Sequence, residues 1–85
     1  MGQAMNKAQE SVIRVSTGLI ETELGQESPD FNKREIVSAI KSLNTNLTNL
    51  GVLDGASFED GYESHPASIR LIAEAGRKYL KDLMS

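Results

Sequence analysis

This chain of 85 residues has no cysteine, no tryptophan, one histidine and two prolines. Without cysteine it can form neither a disulfide nor a thiolate-ligated zinc site, and one histidine excludes a His-rich metal site within one chain. Domains this short bury a modest share of their surface and commonly compensate with disulfides, metals or subunit association. Subunit association is the remaining way to stabilise so short a domain, so we expect a homo-oligomer with no cofactor and no metal.

Long apolar runs are also missing. No run approaches the roughly 20 residues that span a bilayer, and the N-terminus lacks the charged segment and unbroken apolar stretch of a secretory signal. We therefore expect a cytoplasmic protein that does not enter a membrane. The net charge is −3, and no basic stripe follows the chain, which argues against nucleic acid as a partner.

Three segments carry apolar residues at helical spacing, and none alternates like a strand. The first is predicted over residues 3–24, where Gly18 marks either a close helix contact or a weak point, and Gly25 is predicted to form a left-handed cap. The main stripe of this helix is Met5, Ala8, Val12, Val15 and Leu19, widened on one side by Ile13, Ile20 and Leu24.

The second helix is predicted over residues 30–50. Ser28 could cap it with Pro29 at the first helical position, or Asn32 could cap it with Glu35 reaching back. Gly51 is predicted to end it as a left-handed cap, with Val52 making the hydrophobic contact that often follows. Its seam consists of Ile36, Ile40, Leu43, Leu47 and Leu50.

The third helix is predicted over residues 65–84. Its seam is Ile69, Ile72, Gly76, Tyr79 and Leu83, broadened by Ala73, Leu80 and Met84. The predicted fold is all-α: a single small three-helix domain over residues 1–85, arranged as a bundle or as a helical hairpin plus a third helix, and assembled into an oligomer.

One side of the second helix is almost uncharged for two turns, although exposed helix faces usually favour Glu, Lys and Arg. Hydrogen bonding to another chain would explain this side, and so would tolerated surface variation. The residues concerned are Ser42, Asn44, Thr45, Asn46, Thr48 and Asn49.

The connection over residues 51–64 is acidic, contains two of the four aromatic residues and has no Lys or Arg. Ala56 and Phe58 stand where a calcium-binding EF-hand loop needs Asp or Asn. A loop with three glycines does not hold a carboxylate pair rigidly enough for acid–base catalysis. The loop is then either a solvated connector or a contact surface for a basic protein, anchored by its aromatics and steered by its carboxylates.

We take the contact surface as the working hypothesis: a non-catalytic interaction module of the adaptor or inhibitor type, and not an enzyme. The predicted partner-binding residues are Asp54, Phe58, Glu59, Asp60, Tyr62 and Glu63.

The alternative is an oligomeric binder of a small anionic ligand, such as a nucleotide, at the start of the third helix. Free amides at a helix start attract anions. Four residues near this start would contact the ligand: Ser64, His65, Ser68 and Arg70.

Overall fold

The computed structural model describes residues 7–53 and 66–83. They form three α-helices: α1 (Lys7–Leu24), α2 (Arg34–Asn49) and α3 (Pro66–Leu83). Each helix packs against both others, and α1 and α2 share the most extensive contact. The all-α, three-helix prediction is confirmed, and the arrangement is a bundle rather than a hairpin with a separate arm.

The core lies along one stripe of each helix. A fully buried aliphatic side chain contributes roughly 1.5–3 kcal/mol relative to an exposed one, so these residues dominate the stability of the bundle. The predicted seams of α2 and α3 are confirmed, with Leu50 and Tyr79 half-buried against the core, except that Leu83 is exposed. Met84 lies outside the described residues. The buried apolar residues are Ile13, Ile20, Ile36, Ala39, Ile40, Leu43, Leu47, Ile69, Ile72, Ala73 and Leu80.

The predicted main stripe of α1 is wrong for its described members, and Met5 lies outside the described residues. The bundle buries the flank that carries Ile13 and Ile20, and Leu24 packs against the core beside them. Isoleucine buries more apolar area than alanine or valine, so the bundle gains most by covering this flank. The members of the predicted stripe within α1 are all exposed: Ala8, Val12, Val15 and Leu19.

Both N-caps predicted for the second helix, Ser28 and Asn32, are wrong as well. Lys33 is the N-cap, in an extended conformation and without a side-chain cap bond. Its carbonyl accepts hydrogen bonds from the amides of Ile36 at 3.0 Å and Val37 at 2.9 Å. Asn32 instead donates its backbone N–H to the Asp30 carboxylate at 2.9 Å. This local turn holds the chain outside the helix until Lys33.

The end of α2 is a Schellman motif, in which a left-handed glycine lets two amides close onto the last helical carbonyls. Gly51 has φ 78°, which confirms the predicted cap. The amide of Gly51 donates to the Thr48 carbonyl at 3.0 Å, and that of Val52 donates to the Leu47 carbonyl at 2.9 Å. Val52 remains exposed, however, and it is Leu53 that packs partly buried against the core.

The end of α1 differs from its prediction. Gly25 does not adopt a left-handed conformation. Its amide donates to the carbonyls of both Glu21 and Thr22, at 3.1 and 3.2 Å. This shared bond tightens the last turn, so the helix ends without needing the freedom of a glycine.

Of the two alternatives for Gly18, the close helix contact is not present there and is instead found at Gly76 of α3. Gly76 is buried. A Cβ added there would collide with the Thr17 hydroxyl of α1 and lie 3.2 Å from Leu43 Cδ1 of α2. A Cβ at Gly18 would meet nothing within 4 Å beyond its own helix backbone.

These two glycines make a matched pair of substitutions. Gly18→Ala should raise the free energy of unfolding by up to about 1 kcal/mol, because alanine is the better helix former and the space is open. Gly76→Ala should lower it by about 1–3 kcal/mol, because the methyl group overpacks the junction of all three helices. Urea unfolding of both variants at one low protein concentration measures the difference. Equal effects in the same direction would contradict the assignment.

Candidate protein-binding surface

A line of apolar side chains runs along the outside of α1. Ala8, Val12, Val15 and Leu19, spaced 4, 3 and 4, are exposed and form what we call the outward ridge. Val15 is 58% exposed, and Val12 and Leu19 are each 39% exposed. Residues at this spacing lie above one another on a helix, so the outward ridge is a continuous strip rather than scattered contacts.

An open groove runs beside the outward ridge, between α1 and α2. We call it the α1–α2 groove, and its volume is about 420 Å³. Small side chains keep it open: Ser16 and Ala39 are buried at its base, and Ser38 and Ser42 stand on its α2 side. Its complete lining is Ser11, Val12, Val15, Ser16, Leu19, Glu35, Ser38, Ala39 and Ser42.

The outward ridge and the α1–α2 groove together make an outward face that is almost uncharged. Glu35 is the charged residue in the groove lining. The ion pairs made by α1 involve residues outside the groove lining. Arg14 donates to Glu10 at 2.9 Å along its own helix. Glu21 accepts two hydrogen bonds from the Arg77 guanidinium of α3.

Part of the uncharged side of α2 is satisfied within its own helix. The side-chain amide of Asn46 donates to the Ser42 carbonyl at 2.8 Å. The Thr48 hydroxyl donates to the side-chain oxygen of Asn44 at 3.4 Å. These side chains have partners without any second molecule. Of this side, Ser42 lines the groove, one turn away from Ser38.

A carboxylate fixes the linker that joins the two helices of the groove. Glu23 is buried, and its two oxygens accept from the Asp30 amide at 2.8 Å and from Lys33 Nζ at 3.0 Å. The amide bond and then Lys33 hold the pKa of Glu23 below its ordinary 4.5. The Glu23 carboxylate in turn raises the pKa of Lys33 above its ordinary 10.5. We call this the Glu23 clasp.

The residues predicted for partner binding lie outside the described residues, as do Ser64 and His65. Of the predicted anion site, Ser68 is half-buried and Arg70 is exposed on α3. No hydrogen bond or ion pair joins Arg70 to a residue that the structure describes. The described part of that site therefore shows no convergence of groups.

A second depression lies between α3 and the residues that follow the end of α2. It is lined by Val52 and by Ala75, Lys78, Tyr79 and Asp82, with a volume of about 330 Å³. Its lysine and aspartate carry opposite charges, so it favours no single ligand charge. The outward face is the more apolar of the two surfaces, with Glu35 as the charged residue of its groove.

Comparison with protein-family models, with curated proteins and with solved structures finds no match to this chain. No described helix combines the length and the apolar character that crossing a membrane requires. Within residues 7–53 and 66–83, His, Asp and Glu side chains form no group of three that could hold a metal ion.

The Glu23 clasp predicts how stability depends on pH. A carboxylate with a lowered pKa in the folded state contributes stability that is complete above its unfolded pKa and is lost as the pH falls through the folded value. The raised pKa of Lys33 has the opposite sense, since its contribution is complete below 10.5 and lost as the pH rises. Glu23→Gln should therefore flatten the loss of stability below about pH 4.5.

The measurement is the urea midpoint of unfolding at pH 7 and at pH 3, for the wild type and for Glu23→Gln. Glu74→Gln, which alters an exposed carboxylate of α3, is the control and should keep the wild-type acid dependence. An equally steep loss in Glu23→Gln would show that the Glu23 clasp does not couple protonation to folding.

Proposed function

We propose that this chain is a non-catalytic protein-interaction module whose outward face receives an α-helix of another polypeptide. The observation that carries the proposal is the outward ridge, exposed beside the open α1–α2 groove. Binding a helix in an apolar groove is a common mode of protein recognition, in which side chains at helical spacing anchor the complex.

The dimensions of the surface favour a helix as the occupant. The outward ridge repeats at 4, 3 and 4 residues, the spacing at which side chains of one helix fit between those of another. The small residues on the α2 side, Ser38 and Ser42, leave room for the occupant's side chains. Removing apolar surface from water contributes roughly 25 cal/mol per Å², so covering three large side chains is worth several kcal/mol before the costs of association.

The lining of the α1–α2 groove suits packing rather than chemistry. Proton transfer needs titratable groups held near the substrate, with pKa values matched to the reaction. Glu35 is the titratable side chain of the groove lining, and it is exposed. The other lining residues carry hydroxyl or aliphatic side chains. These features support a binding role.

The acidic connection supplies a second proposed contact. Its four carboxylates and two aromatics, within residues 51–64, would meet a basic part of the partner while the helix occupies the groove. This contact rests on sequence alone, because those residues lie outside the described ones.

The outward face is tested by Val15→Asp with Leu71→Asp as a matched control. Both wild-type side chains are aliphatic, 58% exposed and on a helix, but Leu71 belongs to α3. An aspartate at position 15 should release proteins that the immobilised wild-type chain retains from an extract of the cells that make it, because a buried unpaired charge is costly. Circular dichroism should show unchanged helix content in both variants. Equal retention by Val15→Asp and the wild type would refute the proposal.

The acidic connection is tested separately by Phe58→Ala combined with Tyr62→Ala. If the aromatics anchor the partner, the double variant should weaken retention by about tenfold or more, since aromatic anchors commonly contribute 2 kcal/mol or more. Retention by the wild type should also fall as salt rises from about 0.05 to 0.5 M, because the carboxylates steer a basic surface and salt screens them. Unchanged retention in both experiments would leave residues 51–64 as a plain connector.

A further inference from the structure

We infer that the helix received by the α1–α2 groove is α1 of a second copy, so that two chains pair through their outward faces about a two-fold axis. This inference rests on the proposed function and names its partner. Oligomerisation was expected because the chain is short; the structure now assigns it to a particular face.

The outward face has both parts that a two-fold interface requires. In such an interface the same patch meets itself, so it must offer a projection and a matching recess side by side. Here Val12, Val15 and Leu19 project from α1, and the recess beside them is bounded by Ser38 and Ser42. A rotation of 180° places the outward ridge of each copy against the α1–α2 groove of the other.

The distribution of charge also favours a second copy. Of the 85 residues, 21 are Asp, Glu, Lys or Arg, yet the outward-facing positions 8, 11, 12, 15, 19 and 22 of α1 carry none of them. A strongly basic or acidic helix would find Glu35 as the charged residue of the groove lining and few complementary charges along this strip. A partner face without charge is the best match, and the chain itself carries one.

The size of the outward face limits how tightly two copies can associate. The outward ridge runs from Ala8 to Leu19, which is about 18 Å of helix, and two neighbouring helices span about 20 Å. A face of that size amounts to roughly 350 Å² per copy, or about 700 Å² in total, which is the range of weak, transient contacts. The expected dimer is therefore one that dissociates on dilution.

The test is the solution mass of the purified chain by sedimentation equilibrium from about 1 μM to 1 mM, a range set by that modest area. The wild type should pass from 9.3 kDa to twice that mass. Val15→Asp should raise the dissociation constant by about tenfold or more, since each tenfold step needs only about 1.4 kcal/mol. Ser38→Arg, which leaves the outward ridge intact and fills the groove from an exposed position, should do the same. Leu71→Asp should match the wild type.

Each other outcome contradicts the proposed pairing of outward faces, and the outcomes can be told apart. A wild type that stays at 9.3 kDa throughout would overturn the inference; if Val15→Asp still lost a retained protein, the proposed function would stand with a different helix as occupant. A dimer that survives Val15→Asp and Ser38→Arg, or that Leu71→Asp disrupts, would place the contact on another face. A final mass of three or more chains would rule out the two-fold arrangement.

Discussion

A helix in a three-helix bundle can bury only the part of its circumference that faces the other two helices, and α1 has more apolar surface than that part can hold. Ile13 and Ile20 are fully buried between α2 and α3, whereas Val12, Val15 and Leu19 are left outside. The core, the outward ridge and the adjoining groove all follow from this orientation of α1. A rotation of about 100° about its own axis would bury the ridge and expose the isoleucines.

Local contacts on either side of α1 fix that orientation. Gly76 lets α3 approach closely enough to cover the Thr17 hydroxyl, which is buried without a hydrogen-bond partner among the described residues. An unsatisfied buried hydroxyl costs about 1–3 kcal/mol, so the close packing around it must contribute more. On the surface of the same side, Glu21 binds Arg77 of α3. On the other side, the Glu23 clasp draws the linker against the end of the helix.

Sequence periodicity predicted the three helices and the cores of α2 and α3, because each of those two helices has one dominant apolar seam. It misassigned α1 because spacing identifies apolar faces but cannot rank two of them on one helix. The start of α2 was missed because the deciding contacts join Glu23 to residues seven and ten positions away. Capping rules consider only neighbouring residues in the sequence, and they therefore selected Ser28 and Asn32. The burial of Glu23 could have been predicted from its spacing, since it lies three residues after Ile20, near the edge of the buried flank.

The misassignment of α1 bears on the proposed function, because contiguous exposed apolar strips tend to mark contact surfaces. Charged residues could have occupied positions 11, 15, 18 or 22 at little cost to the fold, since those positions are exposed or half-buried in the bundle. Instead they are Ser, Val, Gly and Thr, residues that lower helix propensity relative to Ala, Glu or Lys. Folding of the single chain does not require that choice, whereas the helix contact proposed above would account for it.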